Sequence, residues 1–345
     1  MSIVPVEQEL LGAGVRARET TLLHRAEVSN GWAPEPVREH RSRDGRVFLI
    51  RRCATAAELD ACVALQQETW GYPDREVVPR NIYVLAQSLG GHVFGAWDAA
   101  GTLAGFAMAM AAHAPQSDLA AGRWMRGAEQ GREQADPAAD MLPGRMRGDS
   151  RNAGAVDERA GSKDAVQPEC YLHSHMLAVR AADRNTGLGV ALKLAQREDA
   201  LRLGIRTMRW TFDPLVAKNA FLNLERLGVT VRRYIANFYG PLDSEQQGGL
   251  PSDRLLAEWS LASERVTQRI AGRSQAVTPV EEVELPGEIV RWRAEGGRDA
   301  AEAQRALRER LEAAFARGLV MEGFTPTPGG GGRYRLYAEG ALHNI

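Results

Sequence analysis

The hexapeptide Arg184-Asn185-Thr186-Gly187-Leu188-Gly189 lies between a predicted strand, Tyr171 to Val179, and a predicted helix from Leu188 to Leu203, before Gly204. A glycine-rich turn that opens a helix is an anion site. Its amide N–H groups have no partner inside the helix and sit at the positive end of the helix dipole. Gly187 and Gly189 carry no Cβ to hold a phosphate away, and Arg184 adds a charged donor. The turn therefore predicts a pyrophosphate-bearing cofactor.

Two nucleotide folds are excluded. A dinucleotide fingerprint requires a third glycine where this chain has Leu192, and a P-loop requires Gly-Lys-Ser/Thr where it has Val190-Ala191-Leu192. Composition narrows the choice further. At 345 residues, 44% hydrophobic and 25% charged, the chain reads as globular, with ample length for a core. A net charge of −1 gives no broad field for nucleic acid or anionic membrane. Cys53, Cys62 and Cys170 have no metal-ligand spacing, and three scattered cysteines do not make a disulfide framework. No leader-like start or membrane-length apolar run is evident, so a cytoplasmic location is expected.

Along the chain, residues 1–45 are expected to be a poorly ordered extension. Structure is expected from Val47-Phe48-Leu49-Ile50. Thr55 and Glu58 form a capping box for a helix with Leu59, Cys62, Val63, Leu65 and Trp70 on one stripe, ending before Gly71. A second helix covers Asn81 to Leu89. His92 to Trp97 and Leu103 to Ala111 read as a hairpin around Asp98-Ala99-Ala100-Gly101. Ala112 to Gln167 has no Ile, Phe or Tyr and reads as a flexible insertion. After the Gly turn, the helix is expected to pack through Ala191, Leu194, Ala195 and Leu201. A strand with Met208, Trp210 and Phe212 on one face follows, then a short helix Asn219 to Leu227 and a strand from Val229 to Tyr239. Trp259 to Leu261 reads as a further strand. Asp299 to Arg317, with Leu319 to Phe324 and Tyr334 to Tyr337, reads as a helix and hairpin within a small C-terminal unit, 264–345, beside a core spanning 46–263.

The pattern that fits the turn is Arg-x-x-Gly-x-Gly, with Val179 five residues before Arg184, and here the chain resembles the GNAT acyltransferase superfamily. The family's Pro is replaced by Ala181. The element order from Val47 to Leu261 agrees with that resemblance. The second half looks similar to an uncharacterised subgroup through Ser174-His175-Met176, Trp210-Thr211-Phe212-Asp213-Pro214-Leu215, Asn237-Phe238-Tyr239-Gly240 and Leu250-Pro251-Ser252-Asp253-Arg254. The resemblance implies an α/β fold with a mixed, mostly antiparallel sheet flanked by helices. It implies an acyl-CoA donor, acetyl or succinyl, and a small amine acceptor such as an amino acid. The pyrophosphate would lie on Arg184, Asn185, Thr186, Gly187, Leu188, Gly189 and Val190, with the pantetheine along the main chain of Leu177 and Val179. Asn219 matches a family position near the pantetheine; an N-cap is its plain alternative. No nucleic acid or membrane partner is implied, and a homodimer is the assembly kept in view.

Acyl transfer to an amine needs a base, an oxyanion donor and a proton for the thiolate. His173 and His175 are two apart, hence expected on one strand face with Tyr171, Leu177 and Val179, where family members carry a Glu base. Core histidines, or a zinc pair, are the competing readings. The family's acid tyrosine falls on Leu224, which cannot donate; Tyr234 and Tyr239 are substitutes by residue type. Asp213 could hold an ammonium group or simply make an Asx-turn, and Arg254 could grip a carboxylate or pair with Asp253. The readings kept beside the small-molecule N-acyltransferase are a non-catalytic CoA-binding protein and a protein N-acetyltransferase.

Overall fold

Capping and turn chemistry set the first half of the fold. In this computed structural model, which describes residues 38–114, 169–240, 247–273, 276–296 and 298–342, Thr55 and Glu58 close the expected capping box on α1, Ala56–Trp70. Gly71 ends that helix in the left-handed region, φ 62°, accepting no Cβ penalty. Helix α2 is Arg80–Ser88. The hairpin is β3, His92–Trp97, with β4, Leu103–Ala114, so β4 runs past the expected end at Ala111. The rest of the expected insertion lies outside the described residues, as do residues 1–37.

Within the expected extension, Arg38–Arg41 is a strand. This β1 pairs antiparallel with β2, Val47–Arg52, from Arg38↔Ile50 to Arg41↔Val47. The sequence concealed it because Arg-Glu-His-Arg has no apolar alternation; it is an edge strand whose charges face solvent or α3.

The remaining elements are β5, Glu169–Val179; α3, Leu188–Arg202; β6, Thr207–Phe212; α4, Ala217–Ala220 continuing as a π-helical turn Phe221–Leu227; β7, Thr230–Ile235; and β8, Arg254–Ser260. They are followed by α5, Glu264–Ile270; β9, Glu281–Leu285; α6, Ile289–Glu295; α7, Arg298–Ala316; and the hairpin β10, Leu319–Pro326, with β11, Gly332–Ala338. Helices α5 and α6 and strand β9 are short and mixed in polarity, and periodicity did not predict them. The strand after α4 is shorter than expected, because Asn237 turns the chain at φ 46°.

The eleven strands of the described residues form one mixed, mostly antiparallel sheet flanked by helices, as expected. Its order is β1-β2-β3-β4-β5-β6-β8-β7-β10-β11-β9. The C-terminal strands thus continue the sheet through Met321↔Val231. One apolar cluster runs from Leu172, Met208, Trp210 and Trp259 through Leu224 to Leu307, Leu311, Phe324 and Tyr334. The described residues of Met1–Ala112 with Tyr171–Ile345 make one compact unit, and those of His113–Cys170 a second. No helix among the described residues is long and apolar enough to cross a membrane.

Candidate functional site

The Gly turn is braced from three sides. Asn185 and Gly187 both have positive φ, 66° and 85°, so the backbone folds back on itself just before α3. No side chain caps the first turn of α3, leaving its amides open to an anion. A Cβ on Gly187 would come within 3.3 Å of the His40 ring, and His40 Nε2–H donates to the Thr186 carbonyl at 2.9 Å. Buried Asp183 binds Arg46 (2.7 Å) and Arg180 (2.6 Å), and Thr186 Oγ1 donates to the Asp183 carbonyl. Arg184 is exposed, with Nε donating to the Val179 carbonyl at 3.3 Å. His40, Arg46 and Asp183 were not singled out in the sequence, because they reach the turn from a distant strand or from inside the turn's own fold.

Next to this turn the sheet opens. Parallel strands β5 and β6 share register at only two positions among the described residues, Leu172↔Met208 and His173↔Arg209. Beyond them β5 continues to Val179 without β6 beside it, so main-chain groups of the second half of β5 face a gap that an extended ligand could fill as an added strand.

The faces of β5 also change partway along it. Leu172 packs with Ala200 of α3 and Met208, and Ser174 bonds Lys193 and Gln196 of α3. Met176 and Ala178, of the same parity, instead pack with Leu59, Cys62 and Tyr83 of α1 and α2. Leu177 and Val179 lie against Leu188, Ala191 and Leu192 of α3. The alternation therefore slips once between Ser174 and Met176, as at a β-bulge, which leaves one residue outside the ladder. The slip corrects the expectation that Tyr171, His173, Leu177 and Val179 share one face.

His173 and His175 are half-buried, with ring centroids 6.2 Å apart, and neither ring has a hydrogen-bond partner among the described residues. Burial, then the nearby His175 and Lys193 charges, pushes His173 down to about 4; burial also lowers His175. Both imidazoles are thereby biased toward the neutral, proton-accepting form. Among the described residues no three His, Cys, Asp or Glu side chains gather as a metal site. Cys53 and Cys62 are buried free thiols, Sγ to Sγ 3.8 Å.

Three of the four sequence motifs of the second half meet at one end of the sheet. Asn237 N–H donates to Asp253 Oδ1, Phe238 N–H to the Ser252 carbonyl, and Tyr239 N–H to Ser252 Oγ, each at 2.9 Å. The Tyr239 hydroxyl lies 3.3 Å from Thr211 Oγ1, and the Arg254 guanidinium sits 5.3 Å from the Tyr239 ring centroid. Burial raises the phenol of Tyr72, from the loop after α1 and stacked on Trp70, and the Arg254 and Tyr239 charges act on it more weakly. Arg254 pairs with no carboxylate among the described residues; it donates to the Asp253 carbonyl at 2.7 Å. The Asp253 carboxylate is taken by Tyr234 and by three bonds from Arg308.

The other candidates lie outside the Tyr239–Arg254 contact. Asp213 makes the Asx-turn, accepting from Leu215 N–H at 2.8 Å, and pairs with Arg293 at 2.9 Å. Tyr234 is committed to Asp253 at 2.6 Å. Leu224 is fully buried in the core. Asn219 is exposed inside the first turn of α4 and caps nothing; the N-cap position is Val216. On α3, Leu194 and Leu201 are only half-buried, while Leu188, Leu192, Lys193, Gln196 and Asp199 are buried. Asp199 holds His92 and Arg52, which pull α3 onto β2 and β3.

No family model matches this sequence, and no curated protein matches it. Among solved structures, 118 chains match. The ribosomal-protein-S18-alanine N-acetyltransferase of Escherichia coli is 15% identical, with a TM-score of 0.38, over 63% of this chain and 97% of that one. FeeM, an N-acyl amino acid synthase from uncultured soil microbes, is 12% identical, with a TM-score of 0.39, over 65% and 95%. Naa20 of Chaetomium thermophilum, solved with a bisubstrate analogue, is 15% identical, with a TM-score of 0.37, over 65% and 90%.

Proposed function

We propose that this protein is a CoA-dependent N-acyltransferase acting on a small amine. The observation that carries the reading is the opening between β5 and β6 lying directly beside the open first turn of α3. A diphosphate on the amides of Arg184 to Val190 would leave an attached pantetheine arm entering that gap along Leu177 and Val179. The thioester would then reach the slip in β5, beside His173 and His175. His175 and His173 take the amine proton, and the acceptor lies toward Tyr239, Arg254 and Tyr72. Acetyl- and succinyl-CoA are the donors to test.

Titration calorimetry of the purified chain with CoA, followed by free-thiol release with acyl-CoAs and an amine panel, tests this. Arg184→Ala should weaken CoA binding about tenfold, equivalent to roughly 1.5 kcal/mol for a charge-assisted hydrogen bond. Unchanged affinity would remove the pyrophosphate assignment. Measurable CoA binding with no turnover of any donor would favour a binding protein.

A further inference from the structure

We propose that Lys193 is the proton donor to the departing CoA thiolate, acting from the floor of the β5–β6 opening; the proposal rests on the acyl-CoA reading above. Ser174 and Trp210 are the first residues of β5 and β6 beyond their last shared pair, His173↔Arg209. Lys193 reaches from α3 between them. Its Nζ donates to Ser174 Oγ at 2.7 Å and lies 3.7 Å from the Trp210 ring centroid, held there because Trp210 Nε1–H is fixed on Asn223 Oδ1 of α4. The ammonium thus sits at the apex of the opening, beside the slip in β5 where the thioester would lie.

The surroundings are not those of a settled structural lysine. Lys193 is 4% exposed, and no carboxylate pairs with it among the described residues. Burying an ammonium without a counter-charge is costly, so such a group is kept only where packing or a ligand compensates. Its partner Ser174 passes the bond on, donating to Gln196 Oε1 at 3.0 Å, and the buried Gln196 Nε2 has no acceptor among the described residues. Lys193 is therefore left with one neutral oxygen acceptor and a ring face, an arrangement that a thiolate would complete. The position where the family resemblance would put an acid tyrosine is Leu224, fully buried in the same cluster as Trp210, and the cluster's Tyr234 and Tyr334 commit their hydroxyls to Asp253 and the Pro214 carbonyl. Burial lowers Lys193 to about 7, which makes proton release feasible near neutrality; the titratable groups that feel it are His173 on β5 and His92 on β3.

The step balances. The amine nitrogen attacks the thioester carbonyl carbon and loses a proton to His175 or His173. As the tetrahedral oxyanion collapses, the C–S bond breaks with its electron pair on sulfur. Lys193 Nζ–H gives its proton to that sulfur, leaving amide and CoA thiol, and water reprotonates the lysine.

The test compares CoA with desulfo-CoA, which lacks the sulfur, so no acceptor is needed. In the wild-type chain, the thiolate absorbance of bound CoA should titrate roughly one pH unit or more below free CoA. Lys193→Met should return it to the free value or above and weaken CoA severalfold at alkaline pH, while desulfo-CoA affinity changes less than about twofold. A bound thiol that titrates like free CoA would overturn the proposal, as would equal loss of both ligands in Lys193→Met. If that variant does not fold, the wild-type titration alone decides. Binding of neither ligand by the wild type would sink the donor reading and the lysine with it; CoA binding with an unshifted thiol sinks only the lysine.

Discussion

His175→Ala should lower kcat by roughly 10²–10⁴-fold, the usual worth of a positioned base, and flatten the acidic limb of the pH–rate profile. A wild-type profile in that variant would return the residue to a packing role. The same histidines make a stability prediction. His173, held down to about 4, His175 and buried His92 all have folded-state values below their ordinary one, chiefly through burial. Below pH 6.5 the unfolded chain takes up protons that the folded chain does not, so their contribution is present above 6.5 and is lost as pH falls toward 4. Urea midpoints should therefore drop between pH 7 and 5, and less steeply in His173→Gln. Equal slopes for the two proteins would contradict the assignment. The Gly turn was legible in the sequence, because Arg184, Gly187 and Gly189 fall within one short stretch. Lys193 was not, since one charge among helical residues looks solvated until Trp210 and Ser174 are seen to enclose it.

At the scale of elements, the contact between the β7–β8 end and α7 makes the next prediction. Asp253 is fully buried, and Arg308 of α7 satisfies it with Tyr234. Removing the guanidinium strands a buried carboxylate, so Arg308→Ala should destabilise by about 3 kcal/mol in urea denaturation, somewhat less if water enters at its half-exposed side. A loss under about 0.5 kcal/mol would mean that the pair is solvated. Asp253 itself was visible as part of Leu-Pro-Ser-Asp-Arg, but its partner was not. Arg254 was the neighbour in sequence, yet strand alternation points it to the opposite face, onto Tyr239. The helices with capping signals, α1 above all, were legible for the complementary reason: their start and stop chemistry is local. Strand β1 carried no such signal, because an all-charged edge strand is specified by its partner β2 alone.

For the whole molecule, the continuous cluster from Trp210 and Leu224 to Leu311, Phe324 and Tyr334 predicts one cooperative unfolding event for the sheet and its C-terminal strands. Each large side chain there contributes roughly 1.5–3 kcal/mol of burial. Ending the chain at residue 263 would expose the edge of β7 and the core beneath α7, and should abolish the thermal transition or cause aggregation. A truncated chain that melts within a few degrees of the full one, or a full chain with two separate transitions, would show an independent C-terminal unit instead.

The sequence alone determined the period of each long element and the Gly turn, because hydrophobic spacing, glycine and caps act over a few residues, whereas the mixed sheet was expected only through the family resemblance. Tertiary structure decided everything that depends on two distant segments meeting: the opening between β5 and β6, the slip that turns His173 and Leu177 to opposite faces, and the bracing of the Gly turn by His40 and Arg46. It also decided that Lys193 is buried between Ser174 and Trp210, where β5 and β6 part. Such placements follow from packing a sheet between helices, and no spacing along one chain encodes them.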